Sequence, residues 1–289
     1  MDIQWYPGHM TKSVRMMQEQ IALVDIVIEL LDARAPRSSK NPDIDQMARN
    51  KKRIIVLNKS DLANADANDR WRSFYLEQGF RVIVADSLSG KGLGEITALS
   101  LNLMAEKIER EKKRGRIFVP VRAMIVGVPN VGKSTLINRY VGKSPAKTAN
   151  RPGVTRGRQW IRIKRGFELM DTPGILWPKL DEPEVGINLA ITGAITDNVT
   201  DVVELSLNLI KKLTKLGPDS LVKRYGLEPS GEPFEFLEEV AKARSYEKKA
   251  GEYDLDRAAS AIIGDFRAGR LGRISLETAE GTNDGKKTE

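Results

Sequence analysis

Apolar residues recur along this chain in two rhythms. Short, mostly apolar runs at 25–31, 54–57, 81–85 and 123–126 predict buried strands. Between them the apolar spacing is helical. Met10, Val14, Met17, Ile21 and Val24 follow a Pro7-Gly8 turn and predict a first helix. Further helices are predicted at 44–49, at 67–78 with Gly79 as its stop, at 93–114 on the stripe Leu93, Ile96, Leu99, Leu103 and Ile108, and at 135–140. Runs at 160–163 and 167–170 read as a hairpin turning at Lys164-Arg165-Gly166. A linker rich in proline and charge is expected at 177–184. Beyond it only the helical rhythm persists. Val202, Leu205, Leu209, Leu213 and Leu216 share one face, stopped by Gly217-Pro218. Phe234, Leu237, Val240 and Ala241 form a second stripe, and Leu255, Ala258, Ala259, Ile262, Ile263 and Phe266 a third. The pattern predicts an α/β domain over 1–177, a small all-helical domain over 178–289, and a disordered tail from 278 onward.

The ends of the predicted strands carry the chemistry. After 123–126 comes Gly127-Val128-Pro129-Asn130-Val131-Gly132-Lys133-Ser134, a G-x-x-x-x-G-K-S phosphate loop opening a helix. Its glycines let backbone N–H groups face a polyphosphate, and the helix N-terminus adds a favourable dipole. Asn130, Val131, Gly132, Lys133, Ser134 and Thr135 are the candidate nucleotide contacts there. Lys133 would reach the β- and γ-phosphates as a catalytic cation, and the Ser134 hydroxyl would ligate Mg²⁺. After 54–57 stands Asn58-Lys59-Ser60-Asp61, the N-K-x-D element that reads guanine. Guanine presents N1–H and an amine as adjacent donors, which one carboxylate accepts together, so Asp61 selects GTP or GDP over adenine nucleotides. After 81–85, Asp86 and Ser87 occupy the place of the last base-contacting loop, where a backbone N–H of Ser87 or Leu88 could reach the guanine O6. A plain glycine-rich turn is the other reading of that loop. After 167–170, Asp171-Thr172-Pro173-Gly174 reads as D-x-x-G, with Asp171 holding Mg²⁺ through water and the Gly174 N–H sensing the γ-phosphate. In Pro152-Gly153-Val154-Thr155, Thr155 is a candidate Mg²⁺ ligand; Thr148 competes for the role.

Composition narrows the setting. The 289 residues are 40% hydrophobic and 30% charged, enough for a sizeable core. Without cysteine there is neither a disulfide framework nor a thiolate metal site, which is compatible with the cytoplasm. No apolar run approaches a membrane span, and the opening lacks a signal-peptide pattern, so no membrane partner is expected. The net charge of +8 suggests nucleic acid or a solvated basic surface. Residues 143–165 hold eight Lys and Arg and no acidic residue, more than a triphosphate needs, which favours RNA phosphate contacts as well. Lys242, Arg244, Lys248, Lys249, Arg257, Arg267, Arg270 and Arg273 on the last helices invite the same two readings, solvation or RNA docking.

The order of the motifs is permuted: base recognition precedes the phosphate loop and both switches. With this order, the opening Trp5-Tyr6-Pro7-Gly8-His9-Met10, the stretch Asp32-Ala33-Arg34-Ala35-Pro36 and the loop Pro152-Gly153-Val154-Thr155, the chain resembles the YlqF-type circularly permuted GTPases. The resemblance spans essentially the whole chain. It implies a monomeric GTPase with Mg²⁺ that acts late in assembly of the bacterial large ribosomal subunit and contacts its rRNA and proteins, with hydrolysis stimulated by that particle. Ile175 stands where Ras-like enzymes carry the water-orienting glutamine. The resemblance makes His9, the chain's one histidine, the catalytic candidate; a surface turn histidine is the bland alternative. Asn130 resembles the asparagine of potassium-activated GTPases, where the amide oxygen ligates K⁺; it could also merely shape the loop. An RNA-binding scaffold that uses GTP only as a ligand remains the alternative function.

Overall fold

The apolar runs assemble into one six-stranded sheet. The computed structural model describes residues 10–142, 160–164, 166–172, 174, 176, 182–197, 200–229, 231–248 and 252–279. The first half comprises α1 (Met10–Ile21), β1 (Ile26–Asp32), α2 (Pro42–Met47), β2 (Lys52–Asn58), α3 (Ala65–Glu77), β3 (Arg81–Val84), α4 (Leu93–Leu103), α5 (Ala105–Lys113) and β4 (Val121–Val126). Then follow α6 (Lys133–Val141), β5 (Trp160–Lys164), β6 (Phe167–Met170), α7 (Pro183–Thr192), α8 (Val202–Leu216), α9 (Pro218–Tyr225), α10 (Pro233–Ala243) and α11 (Leu255–Arg267). The strands lie in the order β3-β2-β1-β4-β6-β5. All neighbours are parallel except β5, which pairs antiparallel with β6 as the expected hairpin. From β1 the chain builds outward through β2 and β3; from β4 it builds the other way. The crevice beyond the carboxyl ends of strands at such a reversal is where open α/β sheets bind ligands. The N-K-x-D loop leaves β2, the phosphate loop leaves β4 and D-x-x-G leaves β6, all at that edge.

Burial follows the strand period. In β2, Ile55 and Leu57 face Trp71 and Tyr75 of α3, whereas Ile54 and Val56 join the core on the other face. That larger core is continuous with the C-terminal helices. Val128 in the phosphate loop and Leu176 just past D-x-x-G belong to the same cluster as Leu189, Leu209, Phe236, Ile262 and Phe266.

Four local expectations change. The helix read over 93–114 is two helices, because Met104 leaves helical geometry (φ −109°, ψ 9°) and re-aims the chain from the Ile96 side of α4 to the Ile108 side of α5. Gly217-Pro218 ends α8 but also starts α9, since proline at a first helical position has no N–H to lose. Of the linker expected over 177–184, residues 177–181 lie outside the described residues, and its end is helical: α7 begins at Pro183 and is closed by Gly193 in the left-handed region at φ 83°. The start of the expected tail is ordered: Ala279 packs against the core cluster that holds Trp71. The remainder of that tail, 280–289, lies outside the described residues.

Several basic side chains on the last helices are committed within the protein. Arg267 of α11 forms a double contact with Asp197 (2.7 and 2.9 Å) and donates to the carbonyls of Ala190 and Ile191. Asp265 accepts from Arg224 Nε (2.6 Å), Tyr225 Oη (2.9 Å) and Arg270 Nε (2.5 Å), and so ties α9 to both α11 and the turn after it. Deleting that carboxylate leaves two guanidinium groups without their anion. Asp265→Ala should lower the free energy of unfolding by about 1–2 kcal/mol in urea titrations, since both guanidinium groups keep contact with water; a loss under about 0.5 kcal/mol would mean that solvent screens the cluster.

Candidate functional site

The phosphate loop is shaped by two glycines that no other residue could replace. A Cβ on Gly127 (φ 149°) would sit 2.6 Å from the Leu30 carbonyl oxygen. A Cβ on Gly132 (φ 105°) would collide with the Asn58 amide nitrogen. That approach lets the Asn58 side chain join three loops. Its Nδ2 donates to the Val131 carbonyl (2.8 Å), and its Oδ1 accepts from Ser87 N–H (3.0 Å) and Ser87 Oγ (2.7 Å). The phosphate loop, the base-reading loop and the loop after β3 are thereby fixed to one amide, itself buried. The two N–H groups expected to reach the guanine O6 are used internally: Ser87 N–H by Asn58, and Leu88 N–H by Asp86 Oδ1 (2.8 Å).

Lys133, at the start of α6, points back into the loop and donates to the carbonyls of Gly127 (2.9 Å) and Val128 (2.8 Å). Burial disfavours its charge and lowers its pKa to about 8, although Asp171 nearby opposes the shift. A phosphate entering the loop would supply the missing counter-charge. Ser134 and Thr135 lie exposed in the first turn of the same helix. Asp171, at the end of β6, is partly buried, and burial raises its carboxyl pKa against the pull of Lys133. Thr172 anchors this segment by donating to the Ile125 carbonyl (2.5 Å). Gly174 lies directly on the phosphate loop: a Cβ there would be 2.8 Å from Pro129 Cα and 2.9 Å from Lys133 Nζ. Asn130, left-handed at φ 57°, donates through Nδ2 to the Gly193 carbonyl (2.7 Å) at the end of α7. The structure thus gathers Asn58, Ser87, Asn130, Val131, Gly132, Lys133, Ser134, Asp171 and Gly174 at one edge, with the exposed Asp61 carboxylate on the neighbouring loop. His9, Thr148, Thr155 and Ile175 lie outside the described residues.

A buried ionic cluster stands behind the base-reading loop. Asp32 at the end of β1 holds Arg34 in a two-point contact, Nε to Oδ1 at 2.9 Å and Nη2 to Oδ2 at 2.7 Å. Lys59 Nζ adds a third bond to Asp32 Oδ2 at 2.9 Å. The Arg34 guanidinium also lies 5.1 Å from the centre of the Phe266 ring on α11. Burial alone would raise the Asp32 carboxyl, but Arg34 and Lys59 outweigh it and hold the group far below the usual carboxylate range. Sequence reading singled out Lys59 but gave Asp32 and Arg34 no role in the site. The available signal was an Asp and an Arg two residues apart at the end of a fully buried strand.

With this geometry in view, known proteins can be set beside the chain. The family model described as 50S ribosome-binding GTPase matches residues 122–235. Ribosome biogenesis GTPase A of Bacillus licheniformis is 42% identical over 281 residues, covering 97% of this chain and 99% of that protein. This chain belongs to the ribosome biogenesis GTPase A family. The same-named protein of Priestia megaterium is also 42% identical, over 96% of this chain and 97% of its own. Among solved structures, GNP-bound YlqF from T. maritima aligns with a TM-score of 0.64 at 29% identity, covering 93% of this chain and 99% of that one. Members of the ribosome biogenesis GTPase A family are GTPases, and this chain hydrolyses GTP. The permuted strand order seen here is that of a GTPase sheet entered at β1 rather than at the phosphate-loop strand.

The Asp32 cluster gives this family member a defined acid sensitivity. The folded-state pKa of Asp32 lies below the ordinary 3.8, so the unfolded chain takes up the proton first. The stabilisation is complete above a pH of about 4 and is lost as pH falls further. Asp32→Asn, which leaves Arg34 and Lys59 without an anion, should cost about 3–5 kcal/mol near neutral pH and flatten the decline of the urea midpoint below a pH of about 4. An unchanged acid limb would show that Asp32 does not carry it.

Proposed function

We propose that this chain is a cytoplasmic GTPase checkpoint in late assembly of the large (50S) ribosomal subunit. It binds the rRNA and proteins of the precursor particle in its GTP state and leaves on hydrolysis. One arrangement carries the reading: both Gly174 and the helical region touch the phosphate loop, Gly174 at Pro129 and Lys133, and Gly193 through Asn130. A γ-phosphate beside Lys133 would change the seat of Gly174, and the same loop passes the change to Gly193 and α7. The names of the relatives, with ribosome biogenesis and 50S ribosome binding in them, support the choice of partner. We take 1–177 as the nucleotide-binding domain and 178–289 as the region that faces the particle. With Arg267, Arg270 and Arg273 engaged within the protein, the RNA contacts fall to Lys242, Arg244, Lys248, Lys249 and Arg257 and to the basic stretch 143–165.

Within the site, Asp61 reads guanine with Asn58, Lys59, Ser60, Asp86 and Ser87 around it, Asn58 fixing the loops rather than the base, and residues 130–135 hold the phosphates. The donors suit Mg²⁺: the Ser134 hydroxyl is exposed beside the loop, and the Asp171 carboxylate, disfavoured as a buried anion, gains from a cation. Thr155 completes the protein ligands. Mg²⁺, when bound, offsets the charge on the β- and γ-phosphate oxygens. Asn130 spends its amide nitrogen on Gly193, which leaves Oδ1 as the atom for a K⁺ ion.

With Ile175 unable to orient water, His9 takes that role and Lys133 stabilises the charge on the leaving phosphate oxygens. GTP turnover should rise at least about tenfold on adding large-subunit precursor particles, and His9→Ala should lose that rise while keeping nucleotide affinity within about threefold. Absence of stimulation in the wild-type protein would instead favour a GTP-dependent RNA-binding scaffold. Turnover should also be higher in K⁺ than in Na⁺ buffer at equal ionic strength; equal rates would remove Asn130 from cation binding.

A further inference from the structure

The loop that carries Asp61 is held from behind by the end of the chain. Lys59 is left-handed at φ 60°, a conformation costly for a residue with a Cβ, and it persists only where surrounding bonds enforce it. Two of those bonds come from nearby elements: Ser60 N–H donates to the Ala85 carbonyl just past β3 (3.1 Å), and Asn68 Nδ2 of α3 donates to the Ser60 carbonyl (3.2 Å). The others come from residues more than two hundred positions away. Arg273 Nη2 donates to the Ser60 carbonyl (3.1 Å) and its Nε to the Ala63 carbonyl (2.9 Å). Ile274 N–H donates to the Leu62 carbonyl (3.0 Å), and Asn64 N–H donates to Ser275 Oγ (3.2 Å). Leu276 N–H reaches the Arg34 carbonyl (2.7 Å), which places this strap against the ionic cluster behind Lys59. Gly269, left-handed at φ 72°, turns the chain from α11 beside Leu62. The Asp61 side chain itself is exposed, so its direction depends on the backbone that these bonds fix.

We propose that the segment 273–276 is a positioning element for guanine recognition, with Arg273 as its principal residue. It holds the loop of Asn58 to Asn64 in the conformation that presents Asp61 to the base. Guanine binding and docking of this segment therefore favour each other, since a coupling of two events acts equally in both directions. The helical region thus reports on base occupancy through its C-terminal end as well as on the phosphates through Gly193. The inference rests on the proposal that Asp61 reads guanine.

The test measures binding of GDP, IDP and XDP to the full chain by calorimetry for wild type, Arg273→Ala, Arg273→Lys and Asp61→Asn. IDP lacks the exocyclic amine that Asp61 accepts. XDP carries an oxygen there and calls for a donor instead. Arg273→Ala should lower the GDP-to-IDP preference by about tenfold, with partial recovery in Arg273→Lys, and should raise KM for GTP while kcat stays within about twofold. Hydrogen exchange should accelerate at 60–64 while the β1 and β4 amides keep their protection, which separates misplacement of the loop from loss of fold. An unchanged GDP-to-IDP preference in Arg273→Ala, with Asp61→Asn gaining XDP binding, would overturn the positioning role and leave the reading of Asp61 intact. Failure of Asp61→Asn to gain XDP binding or lose GDP binding would overturn the reading and the inference with it.

Discussion

A carboxylate taken out of water at the end of β1 sets the terms for the structure around it. Asp32 is buried, so its charge requires cations, and the chain supplies two, Arg34 and Lys59. One of them, Lys59, belongs to the N-K-x-D loop after β2. The other reaches Phe266 in the last helix. An ionic cluster of this kind is not a large source of stability, because the cost of removing three charges from water offsets much of their attraction. Its value is geometric. Both partners bond the same carboxylate, so the N-K-x-D loop, a strand end and a helical region are held in one arrangement.

The same economy recurs nearer the phosphates. Asn58 uses both ends of one amide to join three loops, and Asn130 and Gly174 put the phosphate loop in contact with the segments that follow it. A parallel sheet brings this about, because every strand delivers its loop to the same edge and the reversal between β1 and β4 opens a crevice there. Permutation then adds a consequence for transmission. Since the chain leaves β6 by D-x-x-G, the next described helix, α7, ends at the residue that Asn130 holds. The continuous apolar core between sheet and helices makes that linkage stiff.

Much of this was legible in the sequence. Each strand predicted from a continuous apolar run is present, because burial on both faces leaves no other pattern. The motifs at 58–61, 127–134 and 171–174 lie at strand ends as read, since loop chemistry of this type depends on neighbouring residues. Other features were missed for local reasons that became clear only with packing. Met104 breaks a helix whose stripe looked continuous, and Gly217-Pro218, read as a stop, is also a start. Basic residues of the last helices that invited a reading as RNA contacts prove in part to be internal donors: Arg267 serves Asp197, Arg270 serves Asp265, and Arg273 serves the loop after β2.

The sequence by itself determined the order of the motifs, the permutation they imply, the α/β class and the nucleotide, because each rests on residues a few positions apart. Only the tertiary structure decided which charges are buried and who answers them. Arg34 and Phe266, Asn130 and Gly193, and Ser60 and Arg273 are separated by tens to hundreds of residues, and nothing in the local pattern distinguishes an arginine that waits for a phosphate from one already bound to a carbonyl. That distinction depends on where water has been excluded, and the exclusion is made by the fold as a whole.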